Sequence, residues 1–228
     1  MKEKQLALTF DDGPNTGTMV QILDLLDRFG AEATFFVVGS SITAESAPVV
    51  REACRRGHEI GNHGWNHLHM TRLEAQQAAW EVSSLQTRVE GITGKAPALF
   101  RPPYIDVDEA LLKRIPMPFI SGSGNNDWDA ACTVEQRIEG ALRDARDGAI
   151  LLMHCFEKND ATVEALKTIL PELQRRGYRM VTVSRLFTEK GIPLKPGVLY
   201  DAAHNAFPRG EGGTAQAVTD EGWRAPKV

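Results

Sequence analysis

Short apolar runs alternate with amphipathic stretches along this 228-residue chain, and that alternation limits the fold more than any other feature. Residues 6–10, 33–38, 58–60, 98–100, 118–121, 149–153 and 179–182 read as strands. Between the first two, residues 18–29 place Met19, Ile22, Leu23, Leu26 and Phe29 on one helical face, and Gly30 closes it. Residues 48–56 form a further helix stopped by Gly57. Thr71-Arg72-Leu73-Glu74 matches a capping box ahead of an inward stripe of Ala78, Val82, Leu85 and Val89. Thr133-Val134-Glu135-Gln136 matches a second, and residues 161–176 continue the series with Asp160 as N-cap and Gly177 as stop. Strand–helix repetition implies parallel strands with helices outside. The expected class is α/β, a distorted (β/α) barrel of about seven parallel strands, with an open doubly wound sheet as the alternative.

One core usually serves up to roughly 250 residues. We therefore expect one domain over residues 1–190, with residues 191–228 as a tail packed on or flanking it. That tail is rich in Gly, Pro and Ala, so it is expected to wrap the surface or be partly disordered, with Tyr200, Phe207 and Trp223 favouring some docking. Acidic residues outnumber basic ones, 30 to 26, and no long basic run occurs. A non-specific nucleic-acid binder needs the opposite balance, so no nucleic-acid partner is expected. No apolar run approaches the roughly 20 residues of a membrane helix, so no membrane partner is expected either. Residues 1–5 are polar and enter a strand at once, which suggests either a cytoplasmic protein or one whose leader has been removed. Cys54, Cys132 and Cys155 are far apart and odd in number, which is neither a disulfide framework nor a zinc ribbon. The chain is expected to act as a monomer.

The chemically capable residues fall just after the strands. Asp11 and Asp12 follow the first, His63 and His67 the third, and Arg101 and Tyr104 the fourth. Asp127 and Trp128 lie shortly after the fifth, and His154 ends the sixth. In a parallel barrel these positions open on one rim, where active sites lie. His63-Gly64-Trp65-Asn66-His67 has the spacing that puts two imidazoles on one face of a helical turn, which suits a shared metal ion. A carboxylate from another strand end would complete two His and one acid, leaving coordination positions open for catalysis.

Asp11 and Asp12 suggest one metal ligand and one base, or a turn-stabilising pair; spacing does not say which is which. Adjacent strand residues point apart, so the Gly13-Pro14 turn is expected to bend the chain and bring both inward. His154 is a candidate general acid, or a core histidine. Cys155 invites a nucleophile reading, but it follows His154 directly and should face away from the site. His58 and His69 read as structural or solvent-facing, and His204 is unassigned. Trp128 sits among Asn125, Asn126, Asp127 and Asp129, too polar for a core strand, and its face suits a sugar ring.

With these positions placed, the chain resembles the polysaccharide deacetylases, the NodB-homology carbohydrate esterases. Thr9-Phe10-Asp11-Asp12-Gly13-Pro14 looks like that family's first motif, His63 to His67 the second and Arg101-Pro102-Pro103-Tyr104 the third. Asp127-Trp128 looks like the end of the fourth and Leu152-Met153-His154 the fifth. The resemblance implies a distorted (β/α) barrel that removes acetyl groups from a carbohydrate. It implies Asp11 as base and Asp12, His63 and His67 as ligands of one divalent ion, zinc above all, with cobalt or nickel in some members. It implies that Arg101 holds Asp11, that the Tyr104 N–H serves the oxyanion and that Leu152 lines a methyl pocket. It further implies His154 as general acid tuned by Asp127, with Trp128 bordering the groove. The partner implied is an acetylated oligo- or polysaccharide. A non-catalytic carbohydrate-binding protein of the same fold is the alternative. Two departures stand out: Gly64 replaces a Ser or Thr, and Ile105 replaces a Gly. The segment from Ser121 to Asn126 is closer to acetylxylan esterases, which leans toward ester substrates, with N-acetylglucosamine polymers next.

Overall fold

The computed structural model describes residues 3–207. Within them the strands are β1 (Lys4–Gly13), β2 (Ala33–Val37), β3 (Glu59–Asn62), β4 (Phe119–Ile120), β5 (Ser123–Gly124), β6 (Ile150–His154), β7 (Tyr178–Val181), β8 (Leu199–Ala202) and β9 (Asn205–Phe207). The helices are α1 (Thr18–Arg28), α2 (Ala47–Arg55), α3 (Ala75–Thr93), α4 (Glu109–Arg114), α5 (Val134–Asp144), α6 (Asp160–Arg175) and α7 (Val183–Lys190).

β1 is the hub, pairing in parallel with β2, β6 and, through its N-terminal half, β7. β2 continues to β3. Single bridges then carry the ring from Asn62 to Phe100 and from Phe100 to Phe119 of β4. β4 pairs with β8, and Ala202 of β8 bridges back to Ala149 beside β6. β5 adds to β6 at Leu151 and Leu152. The ring closes, so the fold is a distorted (β/α) barrel and not an open doubly wound sheet.

Side-chain alternation divides the core in two. Leu6, Leu8 and Phe10 of β1 face outward against Met19, Ile22, Leu23 and Leu26 of α1 and Leu166, Ile169 and Leu170 of α6. Ala7 faces the interior with Phe36, Ile120, Ile150 and Tyr200. That inner cluster runs on into Val183, Leu186 and Phe187 of α7, which covers the N-terminal end of the barrel. The Val183 N–H donates to Thr34 Oγ1 at 2.9 Å, and the Ser184 N–H donates to Glu59 at 3.1 Å, fixing the helix under β2 and β3. Each such apolar side chain contributes about 1.5–3 kcal/mol on burial.

The structure differs from the sequence reading in several places. The expected strand at 98–100 is one bridged residue, Phe100. β7 is not the last strand: α7 follows it, and β8 and β9 lie in the stretch expected to be tail. Leu199 and Tyr200 of β8 pair with β4. Tyr200 does dock, with its ring 5.1 Å from that of Phe187; Trp223 lies outside the described residues. The capping box at Thr133 forms. That at Thr71 does not: the N-cap of α3 is Glu74, and the Thr71 hydroxyl donates instead to Asp106 at 2.7 Å. A distant carboxylate outcompetes the local partner. The N-cap of α6 is Asn159, not Asp160, and its side chain is engaged elsewhere.

Candidate active site

The C-terminal end of the barrel gathers the polar residues. β1 reaches it through a bulge: Asp11 pairs with Phe36 and Gly13 with Val37, leaving Asp12 as an extra residue at φ 70°. A bulge re-aims side chains that would otherwise alternate. The bend expected at Gly13-Pro14 therefore lies at Asp12 itself. The His63–His67 segment is not a helical turn either. Gly64 at φ 75° and His67 at φ 55° fold the loop back, bringing the two imidazoles to a centroid distance of 5.0 Å.

His63 Nδ1 is 2.7 Å from the Arg101 carbonyl, which only accepts, so Nδ1 carries the proton and Nε2 keeps its lone pair. His67 Nδ1 lies 3.1 Å from the Tyr104 hydroxyl, again leaving Nε2 for the site. Both Nε2 atoms face Asp12 Oδ1, His63 at 3.5 Å and His67 at 3.2 Å. That oxygen is buried and has no hydrogen-bond partner among the described residues. Donors about 2.0–2.1 Å from a tetrahedral ion stand about 3.3–3.4 Å apart. The three side chains thus fit one divalent cation. Burial opposes ionisation of Asp12, yet the imidazoles of His63 and His67, with His154 nearby, hold its carboxyl well below the usual range.

Asp11 is buried beside this cluster. The Arg101 Nη1 donates to Asp11 Oδ1 at 2.7 Å, and Asp11 Oδ2 lies 3.8 Å from His63 Nε2. Arg101 is fully buried. It also donates to Thr9 Oγ1 (2.8 Å), the Ile120 carbonyl (3.1 Å) and the Ser121 carbonyl (2.7 Å), and it lies over the Phe36 ring. Burial pulls its pKa down and Asp11 opposes that. Removing one partner of a buried pair typically costs about 3–5 kcal/mol, so this pair holds both geometry and charge.

His154 stands opposite Asp11 in the β1–β6 register. Asp127 accepts the His154 N–H at 2.8 Å and lies 2.7 Å from its Nδ1, which leaves Nε2 for the site. Thr162 donates to the second oxygen of Asp127 at 2.7 Å, and Arg137 donates to Thr162 and Asn159 behind it. Burial works against a proton on His154; the charge and hydrogen bond of Asp127, then Asp11 and Asp12, outweigh it and push the pKa up to about 9. Cys155, one residue on, packs into the outer core, and burial pushes its thiol well above the usual range. A nucleophilic role is excluded by that placement. Leu152 is buried on the interior face, and Trp128 is half-buried in the turn after Asp127.

His58 is structural: it accepts from the Ala33 N–H at 3.2 Å, and burial lowers its pKa to about 4. His69 stacks on Tyr104, centroids 4.0 Å apart. The sequence reading missed Thr9, Arg137, Thr162 and Glu81, all buried. Glu81 had a signal: it is a charge beside the stripe of Ala78, Val82 and Leu85.

The polysaccharide deacetylase family profile matches residues 1–116. The chain belongs to that family. A bifunctional xylanase/deacetylase of Pseudobutyrivibrio xylanivorans is 38% identical over 198 residues, covering 87% of this chain and 32% of the relative. A peptidoglycan-N-acetylglucosamine deacetylase of Listeria monocytogenes is 37% identical over 191 residues, 82% of this chain and 40% of the relative. The chain therefore spans about a third to two fifths of these relatives' length. A family 4 acetyl xylan esterase from Clostridium thermocellum, solved with a cobalt ion, superposes with a TM-score of 0.84 at 36% identity, covering 87% of this chain and 98% of that one.

Proposed function

We propose that this protein removes acetyl groups from a carbohydrate by hydrolysis, with one divalent ion held by Asp12, His63 and His67. The observation that carries this reading is the convergence of three metal-competent atoms beside the Asp11–Arg101 and His154–Asp127 pairs. When bound, such an ion supplies Lewis acidity, polarising a carbonyl and making water a better nucleophile near neutral pH. Zinc suits the donor set best, with cobalt or nickel as substitutes.

Asp11, held in place by the Arg101 guanidinium, takes the proton of the attacking water. The Tyr104 N–H donates to the oxygen on which negative charge develops, and preorganised donors of that kind often give the largest catalytic contribution. His154 Nε2 hands its proton to the departing sugar oxygen or nitrogen while Asp127 fixes the ring through Nδ1. Leu152 lines the pocket for the acetyl methyl, and Trp128 borders the sugar. Water attacks directly, so no covalent intermediate on a side chain is needed.

O-acetylated xylan or xylooligosaccharide is the favoured substrate. The polar segment from Ser121 to Asn126 and the likeness to a xylanase/deacetylase and an acetyl xylan esterase support it. N-acetylglucosamine polymers come next, given the peptidoglycan-directed relative. An acetate-release panel tests both points. Metal-supplemented protein should release acetate from acetylated xylooligosaccharides faster than from N-acetylglucosamine oligomers. No release from any acetylated glycan, with metal bound, would leave the non-catalytic binding reading in its place.

A further inference from the structure

The loop that carries both imidazoles has a buried glutamate side chain beneath it. Glu81, on α3, is 1% exposed. Its Oε2 accepts the backbone N–H groups of Trp65 and Asn66, both at 2.7 Å, and its Oε1 accepts the Asn66 amide, also at 2.7 Å. All three donors lie between His63 and His67. No Lys, Arg or His forms an ion pair with Glu81 among the described residues. Two successive N–H groups converging on one oxygen form a nest, an arrangement suited to an anion.

The loop needs a brace. Gly64 has no side chain to pin it, and His67 holds a left-handed φ that costs a non-glycine residue of order 1–3 kcal/mol. A Cβ built on Gly64 would lie 3.5 Å from Glu81 Oε2, so the carboxylate sits directly against the turn. Asn62 closes the other side: its Oδ1 accepts the Gly64 N–H at 2.9 Å, and its Nδ2 donates to the Val82 carbonyl, one residue from Glu81. The imidazoles themselves are each held at Nδ1, by the Arg101 carbonyl and the Tyr104 hydroxyl. Those bonds orient the rings. The backbone between them is held on one side by the Gly39 and Ser40 N–H groups, which donate to the Gly64 and Trp65 carbonyls at 3.0 and 2.8 Å, and on the other by Glu81, the side chain that gathers the Trp65 and Asn66 N–H groups.

We propose that Glu81 is a positioning residue that sets the separation of the His63 and His67 imidazoles and so the affinity of the site for a divalent ion. It touches neither substrate nor metal. The inference rests on the metal reading given above.

The test uses the metal-free protein, titrated with Zn²⁺ by calorimetry and with Co²⁺ by visible absorption. Loss of an outer support typically costs 10–100-fold in metal affinity. Glu81→Ala should weaken binding by about that much and change the Co²⁺ spectrum. Glu81→Gln keeps an oxygen for both backbone N–H groups, and a flipped Asn66 amide can accept from its NH₂, so it should stay within about threefold of the parent. Glu81→Asp keeps the charge but draws the carboxylate back by one methylene, so it should resemble Glu81→Ala. It also serves if Glu81→Ala does not fold. Folded Glu81→Ala or Glu81→Asp protein with parental affinity and spectrum would overturn the inference. So would Glu81→Gln as weak as Glu81→Ala, since charge and not position would then be at work. Parent protein that binds neither ion would instead remove the metal reading, and this inference with it.

Discussion

The two ends of the barrel are built from the same strands and resemble each other little. At the N-terminal end, Val183, Leu186 and Phe187 of α7 meet Ala7, Ile150 and Tyr200 in an apolar plug. At the C-terminal end, Asp11, His63, Arg101 and Asp127 are all buried, and Asp12, His67, Tyr104, Ile105 and Asn126 are non-glycine residues at positive φ. One end satisfies packing and backbone preference together. The other holds buried charge and left-handed backbone, both costly, and needs the first to sustain it. Among the described residues the left-handed non-glycine backbone collects at the rim where the proposed chemistry lies.

The sharpest way to break this contrast is to remove metal. Protein stripped by a chelator should lose acetate release, and added Zn²⁺ should restore it; unchanged turnover in verified metal-free protein would contradict the reading of Asp12, His63 and His67 as ligands. Next in size, Asp11→Asn should keep metal and lose about 10²–10⁴-fold in kcat, measured by acetate release. Phe187→Ala, at the closed end, should do the reverse. It should cost about 3–5 kcal/mol of stability in urea unfolding and leave kcat of the folded protein near parental. If Phe187→Ala removed activity without loss of stability, the division between the ends would fail.

The acid sharpens the comparison through pH. Folded His154 is pushed up to about 9, against about 6.5 for a free imidazole. In the proposed mechanism the protonated form is the acid, so kcat/KM should hold below this value and fall as pH rises through it. A bound cation offsets the contributions of Asp11 and Asp12, so the limb falls at or below 9. Because the folded pKa is the higher one, the same shift stabilises the fold below about 6.5, and that contribution is lost as pH rises through about 9. Asp127→Asn should move the activity limb down by roughly 1–3 pH units. The smallest effect concerns strain: Ile105 is β-branched at φ 52°, so Ile105→Gly should raise stability by up to about 1 kcal/mol in thermal unfolding.

Much of this molecule was legible before any coordinates. Apolar periodicity located α1 and α3, a capping box located α5, and glycine stops helped place α2 and α6; burial on one face imposes the apolar pattern on any sequence. The chemical residues were legible because they end strands: Asp11, His63, Arg101, Asp127 and His154 do meet at one rim. The turn chemistry was read less well. Asp12 bends the chain by a bulge and His67 by a left-handed backbone, since long-range pairing, and not local propensity, sets both. Thr71 shows the same competition, leaving its local box for Asp106.

By itself, then, the order of residue types determined which side chains reach the rim, since alternation and chain connectivity act over a few positions. Tertiary structure alone decided which atoms face one another: the His63 tautomer set by the Arg101 carbonyl, the orphaned oxygen of Asp12, the Glu81 carboxylate under the His63–His67 loop, and β8 closing the ring. Those contacts join residues far apart in the chain, and their geometry depends on how every intervening element packs.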